Sequence, residues 1–132
     1  MMRIIVVGGA GLAEQVATAL EMAGDEVTVI DTDPGRESAL ARAGLRAVRG
    51  DPTVPATLEA AGAHRTDVLI AGSRSDETNL VVSLLAKKHF AIPRVIGRVN
   101  NSANEDLFGD AWGVDALVSP STAVVSLVRP PA

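Results

Sequence analysis

The sequence has few of the side chains that most enzyme chemistry needs. None of its 132 residues is cysteine, which excludes disulfides, thiolate nucleophiles and cysteine-based zinc sites. Tyrosine is also absent, so the tyrosine–lysine proton donor of many small dehydrogenases cannot form. Two histidines are too few for a multi-histidine metal site. Aromatic residues make up 2% of the chain, too little for the stacking platforms that bind single-stranded nucleic acid.

The charge balance and the lack of long apolar runs narrow the class of protein further. The formal net charge is −4, which argues against binding to the phosphate backbone of nucleic acid. No apolar run approaches the roughly 20 residues that span a bilayer, and no signal-peptide pattern is present. We therefore expect a cytoplasmic protein. The chain has 47% hydrophobic residues and is long enough to form a core, so we predict a single domain over residues 1–132.

What the chain does contain is a regular alternation of short apolar strands and helices. Arg3–Gly8 is a β-branched run that ends in glycine, which is typical of a buried parallel strand. Further strands are predicted at residues 26–31, 46–49, 67–71, 94–99 and 115–118, and helices at 11–23, 34–43, 53–61, 76–89, 102–111 and 121–128. Six strands separated by helices predict an α/β fold, a doubly wound parallel sheet of the Rossmann type with strand order 3-2-1-4-5-6.

The turn after the first strand has the pattern of a phosphate-binding loop. It reads Gly8-Gly9-Ala10-Gly11-Leu12-Ala13, and such a turn directs backbone N–H groups and a helix N-terminus at a ligand phosphate. We align the motif from Gly8, because its third position packs the helix on the strand, where Ala13 fits and Glu14 does not. This register places Ala10 where a second glycine is usual. A tight turn that binds nothing is the alternative.

The second strand ends in an acidic residue at a suitable distance from this turn. Asp31 lies 23 residues after Gly8, and an acid there accepts hydrogen bonds from ribose hydroxyls and repels a 2′-phosphate. Asp33 has a different explanation, since it precedes Pro34 and is expected to cap the next helix. Together the turn and Asp31 predict an adenine-nucleotide site that disfavours NADP.

Four further segments follow strand ends, at the edge where such sheets bind ligands. They are residues 50–51 (Gly-Asp), 73–79 (Ser-Arg-Ser-Asp-Glu-Thr-Asn), 98–100 (Arg-Val-Asn) and 117–120 (Leu-Val-Ser-Pro). With the glycine turn, this set resembles the TrkA N-terminal domain family, also called RCK-N or KTN, over nearly the whole chain. The resemblance implies a Rossmann domain that senses NAD(H), AMP, ADP or ATP and regulates bacterial potassium transport from the cytoplasmic side of a membrane channel or transporter.

The resemblance also assigns ligand contacts by position. It implies that residues 8–13 hold the phosphates and that Asp31 binds the ribose. Asp51 lies where the family contacts the adenine, and Ser73 stands at a usual threonine near the phosphates and ribose. Arg98 would face the phosphates, for which a guanidinium is well suited. No metal-binding residue is assigned.

Two departures from the family pattern bear on the identity of the ligand. Gly11 replaces an arginine that reaches the terminal phosphate in ATP-responsive members. Ser121 replaces their metal-bridging glutamate. We therefore expect NAD or NADH, or else AMP or ADP, rather than ATP with a divalent metal.

Several of these side chains also have a purely structural explanation. Arg98 could form an ion pair with an acid such as Asp76, which could itself cap the long helix. Arg74 either reaches a phosphate or is solvated, and solvation is the preferred interpretation. Phe108 and Trp112 are expected to pack in the core or at an interface rather than against a ligand.

The long helix predicted at residues 76–89 has more apolar surface than one sheet face needs. A helix that is apolar on most sides is buried on most sides, so we predict a homodimer or larger ring that packs through it. Burial beneath other elements of the same chain is the alternative. The apolar side chains concerned are Leu80, Val81, Val82, Leu84, Leu85 and Ala86.

Two other functions remain open besides a regulatory, non-enzymatic nucleotide sensor. One is a minimal NAD-dependent oxidoreductase, for which the chain offers neither a substrate domain nor a clear acid–base group. The other is an assembly module that binds no nucleotide, which Ala10 and Ser121 would favour.

Overall fold

The six strands form one parallel sheet whose order, numbered along the chain, is 3-2-1-4-5-6, as predicted. A computed structural model describes residues 1–8 and 10–130 of the chain. The strands are β1 (Arg3–Gly8), β2 (Glu26–Asp31), β3 (Arg46–Arg49), β4 (Val68–Gly72), β5 (Arg94–Arg98) and β6 (Ala116–Val118). The α-helices are α1 (Ala10–Met22), α2 (Pro34–Arg42), α3 (Pro55–Ala60), α4 (Asp76–Leu84) and α5 (Pro120–Val128).

Helices cover both faces of the sheet, and the central strands are apolar on both sides for that reason. On one face, Ile4 of β1 belongs to a buried cluster with Ala17 of α1 and Leu40 of α2. On the other face, its neighbour Ile5 belongs to a cluster with Val82 of α4. Successive strand residues point to opposite faces, so a strand buried on both sides needs a continuous apolar run.

Two helices begin with a side-chain cap, and at the long helix the cap is not Asp76, the residue that the sequence suggested. Asp33 Oδ1 accepts a hydrogen bond from Gly35 N at 2.8 Å, which confirms that Asp33 caps α2. At α4 the cap is Ser75, whose Oγ accepts from Thr78 N at 3.2 Å. Asp76 then lies in the first turn of α4, where a negative charge suits the helix dipole.

The segment between β5 and β6 differs from its prediction. Residues 102–111 were expected to form one helix, but they form two 3₁₀ segments, Ser102–Leu107 and Asp110–Trp112. Gly109 between them has extended backbone angles, which break the helical path. The Phe108 ring also packs onto β5, where a Cβ on Gly97 would lie 2.9 Å from Phe108 Cδ2. Phe108 therefore belongs to the core, as the sequence suggested.

The apolar surplus of the long helix is covered within the chain. The helix is α4 continued by a π-helical turn, Leu85–His89. Val82 and Ala86 are buried against the sheet, and Leu80 packs with Phe108 in a separate cluster. Of these six apolar side chains, Val81 is the most exposed, at 37%. Most of this apolar surface is thus buried within the chain, while Val81 is exposed and Leu84 is only partly buried, and self-association through the helix stays a prediction.

Exposed apolar side chains are concentrated elsewhere, on α5. Val124, Val125, Leu127 and Val128 are between 59% and 85% exposed, and none of the residues of α5 is buried. Within residues 1–8 and 10–130, no helix has the length and apolar character needed to cross a bilayer. The exposed apolar side chains of α5 therefore lie on the surface of the protein.

Gly113, in the segment before β6, packs closely against the long helix. Its φ is +78°, and a Cβ there would lie 2.7 Å from Lys87 Cβ and 2.9 Å from the Ser83 carbonyl oxygen. Gly44 is a matched control, because its φ is +80° and no atom lies within 4 Å of its Cβ position. We predict that Gly44→Ala lowers the free energy of unfolding by about 1 kcal/mol through backbone strain.

For Gly113→Ala we predict an additional loss of about 1–3 kcal/mol, because the methyl group meets atoms that cannot easily move away. Urea unfolding of both variants measures the difference. Equal losses for the two variants would show that the packing between Gly113 and the long helix is looser than described.

Candidate functional site

A cleft of about 600 Å³ opens at the carboxyl ends of the strands, beside the point where the winding of the sheet reverses. The reversal lies between β1 and β4, which is where open α/β sheets bind ligands. The residues that line the cleft come from β1 and β2, from the loops after β2, β3 and β4, and from the first turns of α2 and α4. They are Val7, Gly8, Ile30, Asp31, Thr32, Asp33, Arg36, Asp51, Pro52, Ser73, Arg74, Ser75 and Thr78.

Next to β4, the wall of the cleft is formed by the backbone of Gly8, which has no side chain. Gly8 pairs with Gly72 across β1 and β4, and its φ of +150° is one that other residues rarely adopt. A Cβ on Gly8 would lie 2.9 Å from the carbonyl carbon and oxygen of Gly72. Gly8 is therefore required by the fold itself, whether or not a ligand approaches it.

The other residues of the glycine turn differ in burial and in their position relative to the cleft. Ala13 is buried in the cluster between the sheet and α1, which confirms the packing role that set the register of the motif. Leu12 is 42% exposed, and Gly11 is exposed on the outer side of α1. Neither lines the cleft. Ala10 begins α1, and Gly9 lies outside the described residues.

Two carboxylates that the sequence singled out face the same cleft. Asp31 Oδ1 accepts from Asp33 N at 3.0 Å, and Asp51 Oδ1 accepts from Thr53 N at 2.9 Å and Thr53 Oγ1 at 2.7 Å. No other described residue donates to the second oxygen of either carboxylate. The hydrogen bonds from the Thr53 hydroxyl and backbone lower the pKa of Asp51 and outweigh a small opposing effect of burial. Each side chain thus offers an acceptor oxygen to a hydroxyl or amino group.

Two arginines bring positive charge to the cleft, and the sequence pointed to only one of them. Arg74 is exposed and forms no hydrogen bond or ion pair with another described residue. Arg36 was not anticipated as a cleft residue. It lies in the first turn of α2, and its Nη2 is 2.9 Å from Glu14 Oε2 of α1. A basic residue two positions after Pro34 could have suggested it, because the start of α2 follows Asp31 directly.

Arg98 lies apart from the other residues assigned by resemblance. It does not line the cleft, and its Nη1 donates to the Gly72 carbonyl oxygen at 3.2 Å. The alternative ion pair with Asp76 does not form either. Asp76 instead accepts four hydrogen bonds from the backbone and side chains of Asn100, Asn101 and Asn104. The cleft thus brings Gly8, Asp31, Asp51 and Ser73 together, whereas Arg98 does not line it.

The comparisons with known proteins identify the family. The profile of the TrkA-N domain matches residues 4–120, so the chain belongs to the TrkA-N domain family. The Trk system potassium uptake protein TrkA of Mycobacterium tuberculosis is 38% identical over 128 residues. That match covers 97% of this chain and 58% of that protein, so the chain spans little more than half of its relative.

Solved structures of low sequence identity share the fold. The TrkA-N domain of the inner membrane protein YbaL from Escherichia coli gives a TM-score of 0.84 at 16% identity, over 97% of this chain and 95% of that one. The GsuK channel bound to NAD gives 0.80 at 20% identity, over 96% and 23%. The Kef CTD of Shewanella denitrificans in its AMP-bound form gives 0.79 at 20% identity, over 96% and 76%.

The asparagine bonds to Asp76 predict a pH-dependent contribution to stability. Partial burial raises the pKa of Asp76, but the hydrogen bonds from Asn100, Asn104 and Asn101 outweigh it and hold the pKa below the ordinary 3.8. A lowered pKa in the folded state stabilises the protein above the unfolded value and loses this effect as the pH falls through the folded value. Asp76→Asn should therefore cost about 1 kcal/mol at pH 7, limited by solvent screening.

Unfolding of the protein and of Asp76→Asn between pH 7 and pH 2 measures this effect. The difference should shrink as the pH falls below the unfolded value of 3.8 and through the lower folded value, because the Asp76 carboxyl then becomes neutral, like the amide that replaces it. Asp106→Asn is the control, since Asp106 is exposed and has no hydrogen-bond partner among the described residues. A difference that does not change with pH would contradict the assignment.

Proposed function

We propose that the chain is a regulatory domain that binds an adenine nucleotide and controls potassium transport through a partner membrane protein, on the cytoplasmic side. NAD or NADH is the preferred ligand, with AMP or ADP next. The observation that carries this proposal is the meeting of Asp31 and Asp51, each with an acceptor oxygen toward the cleft, beside the bare backbone of Gly8.

The chemistry of the cleft matches the parts of an adenosine ligand. Asp31 is suited to ribose hydroxyls and Asp51 to the amino group of adenine, because carboxylates accept the hydrogens that these groups donate. The arginines Arg36 and Arg74, which line the cleft, supply the positive charge that phosphates need. The cleft volume of about 600 Å³ lies within the usual range of small-molecule sites.

The lowered pKa of Asp51 supports binding rather than catalysis. A general acid or base works best with a pKa near the working pH, whereas the Thr53 hydrogen bonds lower the pKa of Asp51. Asp51 is then ionised at neutral pH and serves as an acceptor. We therefore propose that the domain is not an enzyme, and we expect no oxidation of NADH by the isolated chain.

The relatives support a role in regulation. They include a potassium uptake protein, a channel bound to NAD and a Kef domain bound to AMP. A nucleotide can shift a regulator between two arrangements only if it binds them with different affinity. We propose that the closure of the cleft around the ligand provides this difference, and that the partner transporter responds to it.

A thermal-shift panel tests whether a nucleotide binds. NAD, NADH, AMP, ADP and ATP with Mg²⁺ are compared, and a ligand at 100 times its dissociation constant should stabilise the fold by about 2.7 kcal/mol. We expect the largest effect with NAD or NADH. No shift with any nucleotide would refute the proposed function, and a shift with ATP and Mg²⁺ alone would refute the proposed ligand.

Asp31→Asn tests the site. The variant keeps the acceptor toward Asp33 N but loses the charge, so the affinity for NAD should fall about 10- to 100-fold in calorimetric titrations. Asp106→Asn removes one surface charge outside the cleft and should leave the affinity unchanged. The same affinity in both variants would place the ribose elsewhere.

We also propose that the chain self-associates through α5. Its exposed valines and leucine form an apolar patch with Leu117 and Val118 at the end of β6, which are 41% and 53% exposed. Patches of this kind mark protein–protein contacts in soluble proteins. A homodimer, or a ring built from such dimers, would cover it.

Light scattering coupled to size-exclusion chromatography tests this surface. Leu127→Glu should convert a dimer into a monomer, because Leu127 is 85% exposed within the patch. Met22→Glu is the matched control, since Met22 is 84% exposed at the end of α1, away from the patch. A dimer that survives Leu127→Glu would exclude α5 as the interface.

A further inference from the structure

A buried asparagine forms hydrogen bonds with the backbone and the hydroxyl group of Ser73, a residue that lines the cleft. Asn79 of α4 is fully buried, and its side chain makes four hydrogen bonds. Nδ2 donates to the carbonyl oxygens of Ser73 and Arg98, both at 2.9 Å. Oδ1 accepts from Ser73 N at 2.9 Å and from Ser73 Oγ at 2.8 Å.

The partners in the backbone settle the orientation of this amide. A backbone N–H only donates and a backbone carbonyl only accepts. The atom that faces Ser73 N must therefore be oxygen, and the atom that faces the two carbonyls must be nitrogen. A flipped Asn79 would place donor against donor and acceptor against acceptor in a fully buried site, which is costly.

This orientation determines how the hydroxyl group of Ser73 is used. The amide oxygen of Asn79 cannot donate, so the Ser73 hydroxyl must donate its single hydrogen in the 2.8 Å bond. The Ser75 carbonyl oxygen is a more distant acceptor, at 3.2 Å. Ser75 N donates to Ser73 Oγ at 3.2 Å and uses one of its two lone pairs. One acceptor lone pair remains for a ligand.

We propose that Asn79 is a positioning residue that makes Ser73 a hydrogen-bond acceptor toward the cleft. At this point the cleft then takes a ligand group that donates a hydrogen, which in an adenine nucleotide is a ribose hydroxyl. A phosphate oxygen is disfavoured there, because it only accepts at neutral pH and would face another acceptor. This inference rests on the proposed function, since it concerns the same cleft and a nucleotide ligand.

A second amide holds the same loop in place from the end of β5. Asn100 Nδ2 donates to the Ser73 carbonyl oxygen at 3.0 Å and to Asp76 Oδ1 at 3.0 Å. Unlike Asn79, Asn100 is exposed, so it can be replaced without opening a cavity in the core. The Ser73 carbonyl therefore has two amide donors, which come from α4 and from the segment after β5.

Nucleotide analogues that lack one hydroxyl test the inference from the side of the ligand. Calorimetric titrations of the full chain compare AMP with 2′-deoxy-AMP and 3′-deoxy-AMP. We expect one of the deoxy compounds to bind about tenfold more weakly than AMP. Ser73→Ala should reduce that ratio without abolishing it, because Asp31 keeps its own contact with the ribose, and Ser73→Thr, which keeps the hydroxyl group, should retain it.

Contacts of other kinds give different results in the same titrations. If Ser73 binds a phosphate, Ser73→Ala weakens AMP and both deoxy compounds by the same factor, which overturns the inference. An unchanged ratio in Ser73→Ala also overturns it. If the unmodified chain binds neither NAD nor AMP, the proposed function fails together with the inference. If the chain binds AMP but Ser73 has no influence on the ratio, the inference alone fails.

The role of Asn79 is tested by the same ratio. Asn79→Ala should reduce the discrimination between AMP and the deoxy compound, whereas a merely structural residue would weaken all three ligands alike. If Asn79→Ala does not fold, Asn100→Ala replaces it and should reduce the ratio about threefold. Asn101→Ala is the matched control, because Asn101 Oδ1 accepts from Ala103 N and its side chain does not contact Ser73. Equal ratios in Asn100→Ala and Asn101→Ala would overturn the positioning role.

Discussion

Strands β1 and β4 meet backbone to backbone at their last residues, and the cleft exists because of this contact. Gly8 and Gly72 are paired there, and neither can carry a side chain without meeting the other strand or the Val7 carbonyl. From this point the chain leaves β1 toward α1 on one face of the sheet and leaves β4 toward α4 on the other. The two connections diverge, so the space between them is open and is lined by the residues that follow each strand.

The polar groups around this opening are mostly hydrogen-bond acceptors. Asp31 and Asp51 present carboxylate oxygens from the side of β2 and β3, and Ser73 presents a lone pair from the side of β4. Donors come from the arginines Arg36 and Arg74 at the edge of the cleft. A ligand that fits must carry hydroxyl or amino hydrogens along one part and negative charge along another, as a nucleotide does. A simple anion could pair with the arginines but would offer no hydrogens to the acceptor groups.

Most of the fold could be predicted from the sequence because local pattern and burial agree in it. Strands buried on both faces leave a continuous apolar run, and the role of Ala13 followed from the need to pack α1 on β1. The helix predicted at residues 102–111 was wrong because distant groups set the conformation of this segment. Asp76 accepts hydrogen bonds from Asn101 and Asn104 at its start, and Phe108 packs on β5. Periodicity in one segment does not contain that information.

The candidate site could be predicted less completely, since the direction of long side chains depends on neighbours in space. Asp31 ends β2 and Asp51 lies two residues after β3, so their position in the cleft could be inferred from topology. Arg98 ends β5 in the same way, yet its guanidinium turns toward the Gly72 carbonyl. Arg36 enters the cleft through the orientation of α2, which no local motif encodes.

The distribution of hydrogen bonds indicates where a regulatory change can occur at low cost. The loop after β4 and the segment after β5 form one unit, because Asn79, Asn100 and Asp76 connect them through many bonds. By contrast, none of the residues of α5 is buried, and its cap residue Ser119 makes no side-chain cap bond. Thr122 of α5 donates to Glu105 at 2.9 Å, so α5 adjoins the end of the bonded unit. Elements with little buried apolar surface move most easily, so a ligand that shifts the bonded unit as a body is expected to act on α5 first.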